Sequence, residues 1–304
     1  MSHPSRERLL AGLPTTERRL RLGDVSTALL EAGEGPPLVL LHGGIECGGA
    51  YWAPVIGRLA ESHRVVVPDL PGLGESEPVA DLTSDVFADW FRALLDATCE
   101  DRPILIAHSL LGALATRYAI RDRDSLQGLV IYAAPGIGPY RIPLRLMILA
   151  TRFGLRPSEK NAERFDRFAF FDFDAAKRQN QGWLEAWSAY TRERAAVPHV
   201  KRTMRRLIKS CTKRIPDDEL RRIEVPITLI WGSHDRFVPL GLAEGASARL
   251  GWPLRVIDEA GHVPHIERTE AFLEALVPTL ARPSRSPARP FPRRGPRSPF
   301  ARRS

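Results

Sequence analysis

The chain has 304 residues, 43% hydrophobic and 26% charged, a balance that excludes a membrane bundle, a collagen-like repeat and wholesale disorder. The net charge of +8 is matched by the eight arginines of residues 282–303, a stretch without acid, so the rest of the chain is neutral and the charge argues against a nucleic-acid-binding domain. Cys47, Cys99 and Cys211 lie far apart without a CxxC pair, and MSHPSRERLLAGLP lacks an uninterrupted apolar stretch, so the sequence predicts no disulfide framework, zinc site, cofactor, secretory leader or membrane span, and a cytoplasmic location.

In chain order, RRLRLGD (18–24) and VSTALLEAG (25–33) meet at a Gly-Asp turn and predict an antiparallel hairpin on a sheet edge. Apolar, β-branched runs follow: LVLLHGG (38–44), RVVVPDLPG (64–72), PILIAHS (103–109), LVIYAAPG (129–136), ITLIWGSHD (227–235) and PLRVIDEAGH (253–262). Each reads as a buried strand ending in a turn. Helical stretches lie between and after them, at 52–61, 84–98, 110–120, 240–250 and 267–280. Strand alternating with helix predicts an α/β fold whose mostly parallel sheet is covered on both faces.

The alternation breaks from Gly136 to Pro216, where arginine-rich and aromatic sequence favours helices. The expected organisation is a core of residues 1–135 and 217–281, a helical cap at 136–216, and a disordered Arg/Pro-rich tail at 282–304. Contact of that tail with a nucleic acid or an anionic membrane is compatible with its charge, and nothing in the sequence selects either. Ten aromatic residues fall between Tyr140 and Tyr190, which suits an apolar small-molecule substrate as well as simple packing of the cap. IPLRLMILATRFGL (142–155) is apolar with Arg interruptions, suited to a membrane surface, a pocket entrance or ordinary lid packing.

The chemistry concentrates at three strand ends. AHSLLG (107–112) places Ser109 where a strand turns into a helix, a sharp bend that exposes Oγ above a sheet. Asp235 follows a later strand, and His262 follows the last. In this order each residue serves one need of acyl cleavage. His262 removes the Ser109 proton, and Asp235 holds the imidazole in the right tautomer and stabilises its charged form. An oxyanion hole is expected from the backbone N–H of Leu110 and that of Gly44 or Ile45 in the HGGI turn. His42 and Asp69 read as loop-shaping residues, and His108 and His234 as locally bonded. His265 is the one rival to His262.

Taken together, LLHGG, VVVPDLPGLGES (65–76), AHSLLG, LIWGSHDRFVP and EAGHVPHIERTEAF (259–272) resemble the α/β-hydrolase superfamily, in its cap-bearing branch, over roughly residues 18–281. The resemblance implies a serine hydrolase acting on a small or medium apolar ester through an acyl-enzyme, with no metal. The runner-up is a carbon-carbon bond hydrolase using the same three residues, and the alternative from another class is a non-catalytic binding protein that keeps the pocket. One departure stands out. The family's Gly-x-Ser-x-Gly elbow has Ala107 and Leu111 at its small positions here, and the Leu111 side chain predicts crowding between strand and helix that Gly112 would relieve.

Overall fold

A computed structural model describes residues 3–180 and 182–281; the expected tail at 282–304 lies outside them. The chain opens with helix α1 (Pro4–Leu10), which the sequence pattern did not announce. The hairpin follows as β1 (Thr16–Leu22) and β2 (Val25–Ala32). Five further strands are parallel neighbours: β3 (Pro37–Leu41), β4 (Arg64–Pro68), β5 (Ile104–His108), β6 (Gly128–Tyr132) and β7 (Ile227–Gly232), with β8 (Leu254–Ile257) at the far edge. The sheet order is β1-β2-β4-β3-β5-β6-β7-β8.

Only β1 of the hairpin forms the edge, because β2 pairs antiparallel with β4, setting Leu29 opposite Pro68. Every residue of β3, β5, β6 and β7 is buried, as a parallel sheet covered on both faces requires of its central strands. β8 alternates less cleanly, with Arg255 and Val256 exposed at the edge.

The covering helices are α2 (Ala53–Ala60), preceded by a 3-10 turn at Gly48–Trp52, then α3 (Ser84–Thr98), α4 (Ser109–Arg121), α11 (Leu240–Leu250), α12 (Pro264–Glu267) and α13 (Thr269–Leu280). α3 packs on α4 and ties to the sheet through Trp90 Nε1, which donates to Thr27 Oγ1 at 2.9 Å. The helix predicted at 267–280 is α13; the short α12 precedes it, separated by Arg268, whose φ of −137° and ψ of 59° are not helical.

Between β6 and β7 the described residues form helices only: α5 (Leu144–Leu155), α6 (Glu159–Ala169), α7 (Phe173–Gln179), α8 (Trp183–Ala195), α9 (Pro198–Cys211) and the single turn α10 (Asp217–Leu220). Phe168, Phe170, Trp187 and Tyr190 of this insertion are buried in the same apolar core as the sheet. At its root, Ile215 N donates to Gly136 O at 2.8 Å. Helix α1 lies against α8, where Ser5 Oγ donates to Glu193 Oε2 at 2.8 Å. Nearby, Tyr190 Oη donates to Glu75 Oε1 at 2.5 Å, joining the insertion to the loop after β4. None of the described helices is long and apolar enough to cross a membrane.

Candidate active site

Strand β5 ends at His108 and α4 begins at Ser109, so one residue must turn the chain. Ser109 does so with a φ of +50°, a region that costs a non-glycine residue about 1–3 kcal/mol and persists only where the surroundings fix it. Two contacts fix it here. The preceding His108 is buried, with Nδ1 bonded to Tyr51 Oη at 3.1 Å and Nε2 bonded to the carbonyl of His262 at 3.0 Å. Burial, with His262 and His265 close by, holds its imidazole well below the usual range, so it is neutral and donates through one nitrogen only. On the other side α4 passes so close to the end of β6 that a methyl at Gly112 would stand 2.5 Å from Ala134 Cβ and 3.0 Å from Ala107 O. The tight approach therefore falls on Gly112. Leu111 is completely buried in α4, and its Cδ1 faces Gly44.

Asp235 sits in the turn after β7, where Oδ1 accepts from the N–H groups of Phe237 and Val238 at 2.8 and 2.9 Å. Its Oδ2 is 2.9 Å from His262 Nδ1, and His262 Nε2 is 3.0 Å from Ser109 Oγ. All three side chains are buried. The Phe237 ring stacks on the imidazole, with centroids 4.6 Å apart and planes at 28°. The structure thus brings Ser109, His262 and Asp235 into one hydrogen-bonded chain from the ends of three strands. The HGGI turn reaches the same place, since a methyl at Gly44 would stand 3.1 Å from Leu110 Cβ. The Leu110 N–H opens α4 and has no partner within the helix ladder, so it is free to donate outward.

The loop carrying His262 is held from behind. His262 N donates to Ala169 O, the last residue of α6, at 2.7 Å. The buried carboxylate of Glu267 accepts from Gly261 N at 2.8 Å and from Phe171 N at 2.6 Å, joining loop and insertion through a single side chain. Burial raises the Glu267 carboxyl, while the N–H groups of Phe171, Gly261, Val263 and Asp172 pull it back toward the ionised form. No side chain fits at Gly261, where a methyl would stand 2.3 Å from Ala169 O. Sequence reasoning assigned Glu267 no role at the site and placed it only at the start of a helix. The signal present was its place five residues after His262.

The remaining candidates have other partners. His265 Nδ1 bonds Tyr132 Oη at 3.0 Å, and burial pushes its imidazole down to about 3. His42 Nε2 accepts from Leu70 N at 3.2 Å and is likewise pushed by burial to about 3. Asp69 accepts from Gly49 N and Glu75 N at 2.5 and 2.7 Å, shaping the loop after β4. His234 is exposed and bonds Ser233 Oγ at 2.9 Å. Among the described residues no group of three or more His, Cys, Asp or Glu is placed to hold a metal ion.

Residues 38–275 match the alpha/beta hydrolase family over most of the chain. The chain belongs to that family. A 2-hydroxymuconate semialdehyde hydrolase from a Pseudomonas species is 32% identical over 163 residues, which cover 52% of this hydrolase and 56% of that one, so the match spans little more than half of its length. A pimeloyl-[acyl-carrier protein] methyl ester esterase from a Shewanella species is 29% identical over 267 residues, 82% of this hydrolase and 92% of the esterase. Among solved structures, a 2-hydroxy-6-oxo-6-phenylhexa-2,4-dienoate hydrolase from a Rhodococcus species is similar with a TM-score of 0.76 at 24% identity, covering 88% of this hydrolase and 99% of that chain. At that identity the likeness shows the fold.

Proposed function

We propose that this hydrolase cleaves a neutral, apolar carboxylic ester through a covalent acyl-serine. The observation that carries the proposal is the hydrogen-bonded chain from Ser109 Oγ through His262 to Asp235, anchored on a serine held at positive φ. In this reading His262 Nε2 takes the Ser109 proton as Oγ attacks the ester carbonyl carbon. The oxyanion is held by the N–H of Leu110 and that of Gly44 or Ile45. His262 then gives its proton to the departing alkoxide, which leaves as the alcohol. Water enters, loses a proton to His262 and attacks the acyl carbon, and Ser109 Oγ recovers that proton as the acid leaves. Asp235 faces the imidazolium with one oxygen while two backbone N–H groups hold the other in place. Residues 136–216 form the cap over this site in the same reading, on a core of 1–135 and 217–281. The three buried free cysteines fit work in a reducing cytoplasm.

The preference for a neutral ester rests on charge. Glu46 lies two residues beyond Gly44, and desolvation raises it to about 7. Asp166, one turn before Ala169, is raised to about 8 by burial and then by Glu46 and Glu163. Both carboxyls therefore keep much of their proton near pH 7, and neither supplies a cation to receive a substrate's own carboxylate. The second reading, hydrolysis of a carbon-carbon bond beside a carbonyl, is favoured by the activity in the name of the Pseudomonas relative and uses the same three residues. A third, a non-catalytic binding protein, requires only the pocket.

The test is a fluorophosphonate probe with a substrate panel. Labelling of the wild type, absent in Ser109→Ala and in His262→Ala, with turnover of p-nitrophenyl esters, is the expected result. Turnover of a ring-fission dienoate but of no ester would transfer the assignment to the second reading, and a folded wild type that is never labelled would transfer it to the third.

A further inference from the structure

Helix α5 presents apolar residues on two opposite faces. Leu149 and Phe153 are buried, and Phe153 packs with Ala162 of α6 and Ala195 of α8. The reverse face carries Leu144, Met147, Ile148 and Leu155, exposed by 67%, 49%, 42% and 79%, which at helical spacing form one stripe pointing away from the protein. Of the large apolar side chains exposed among the described residues, only Val256 and Val277 lie elsewhere. Arg145, Arg152 and Arg156 share one flank of the stripe, and Arg141 precedes the helix. Arg145 lies over the Phe168 ring at 5.1 Å; none of the four joins an ion pair among the described residues, and no acid occurs between Asp124 and Glu159.

We propose that the outer face of α5 docks on an anionic lipid bilayer, with Leu144, Ile148 and Leu155 in the acyl boundary and the arginines at the phosphates. The charge chooses this occupant. An apolar stripe bordered on one side by unpaired guanidinium groups is complementary to a surface that is apolar below and anionic above. A second copy meeting the stripe face to face would set two arginine flanks together with no carboxylate to receive them.

The experiment is co-sedimentation of the full chain with vesicles of phosphatidylcholine mixed with phosphatidylglycerol, and of phosphatidylcholine alone. The wild type is expected to bind the mixed vesicles and to bind the neutral ones at least about tenfold more weakly, since each arginine near an anionic surface contributes roughly fivefold. Leu144→Asp with Leu155→Asp is expected to lower binding to the mixed vesicles by about tenfold or more, as two buried leucines are lost. Arg152→Gln with Arg156→Gln should lower it by roughly fivefold per arginine. The altered side chains are exposed, so fluorophosphonate labelling and melting temperature should match the wild type. Three results would overturn the proposal. They are a wild type that stays in the supernatant, variants that bind as well as the wild type and so place binding elsewhere in the chain, and a lipid-free dimer in sedimentation velocity that Leu144→Asp with Leu155→Asp dissolves.

Discussion

Replacing Glu267 by glutamine asks whether the clasp behind the histidine serves chemistry or only folding. The carboxylate is buried and accepts from Gly261 N and Phe171 N, one bond on each oxygen. Glutamine keeps the shape but offers one acceptor, so its NH2 must face one of two N–H donors. A hydrogen bond to a charged group is worth about 1.5–3 kcal/mol, and the loss is partly offset because a neutral amide is easier to bury than a carboxylate. A net destabilisation of about 2 kcal/mol follows, a fall in melting temperature of roughly 5 °C for a chain of this size. The second consequence is positional. Gly261 precedes His262, and a shift of about 1 Å in a reacting group can cost on the order of a hundredfold, so the rate of fluorophosphonate labelling should drop about ten- to a hundredfold. Urea unfolding and labelling kinetics of Glu267→Gln are compared with Glu259→Gln, an exposed acid of the same loop paired with Arg268, expected to change stability by less than about 1 kcal/mol. If Glu267→Gln lost stability yet was labelled at the wild-type rate, the clasp would hold the fold without positioning His262, and the reasoning would fail.

Asp235→Asn should lower labelling and turnover by about four orders of magnitude, measured with the same probe, because an amide favours the wrong imidazole tautomer. Asp166→Asn should stabilise the protein increasingly as pH rises. The unfolded carboxyl ionises above about 4 and the folded one only above about 8, so between them the native state holds the extra proton and wild-type stability falls with pH, by at most about 1.4 kcal/mol per unit. Urea midpoints at pH 5 and pH 8 test this, and an equal gain at both would show that Asp166 is not desolvated. Leu111→Gly should remove about 2–5 kcal/mol for the emptied space and about 1 more for glycine in a helix, with no gain in rate. Faster labelling in that variant would show that Leu111 does crowd the elbow.

The sheet was legible because its strands are continuous apolar runs, and the three strand-end residues because each turn carries a chemically distinctive side chain. Other features depend on contacts that no local pattern records. PSRERLL is too short and too charged to announce a helix, and it forms one with Leu9 buried in the core and Ser5 bonded to Glu193. The four-residue α12 is too short to show a periodic pattern of its own. Phe237 has no role in the sequence pattern, and only the approach of α6 and the His262 loop makes its ring a wall of the site. At the elbow the sequence pointed to Leu111, whereas the narrow clearance belongs to Gly112, a distinction that requires knowing where Ala134 lies.

Ser109 and His262 are only 8% and 4% exposed, so a substrate reaches them after something moves. The bonds of the insertion say where that movement cannot begin. Residues 169 and 171 are latched to the His262 loop, Ile215 is bonded to Gly136 at the root, and α8 is fastened through Tyr190 to Glu75 and through Glu193 to Ser5. Helix α5 buries Leu149 and Phe153 and is tied to α6, through Phe153 stacked on Phe165 and Asn161 Nδ2 donating to Arg156 O at 2.9 Å, rather than to the sheet. The helix with the fewest ties to the sheet is thus the one whose outer face is apolar, and whatever covered that face would set how freely this part of the insertion moves.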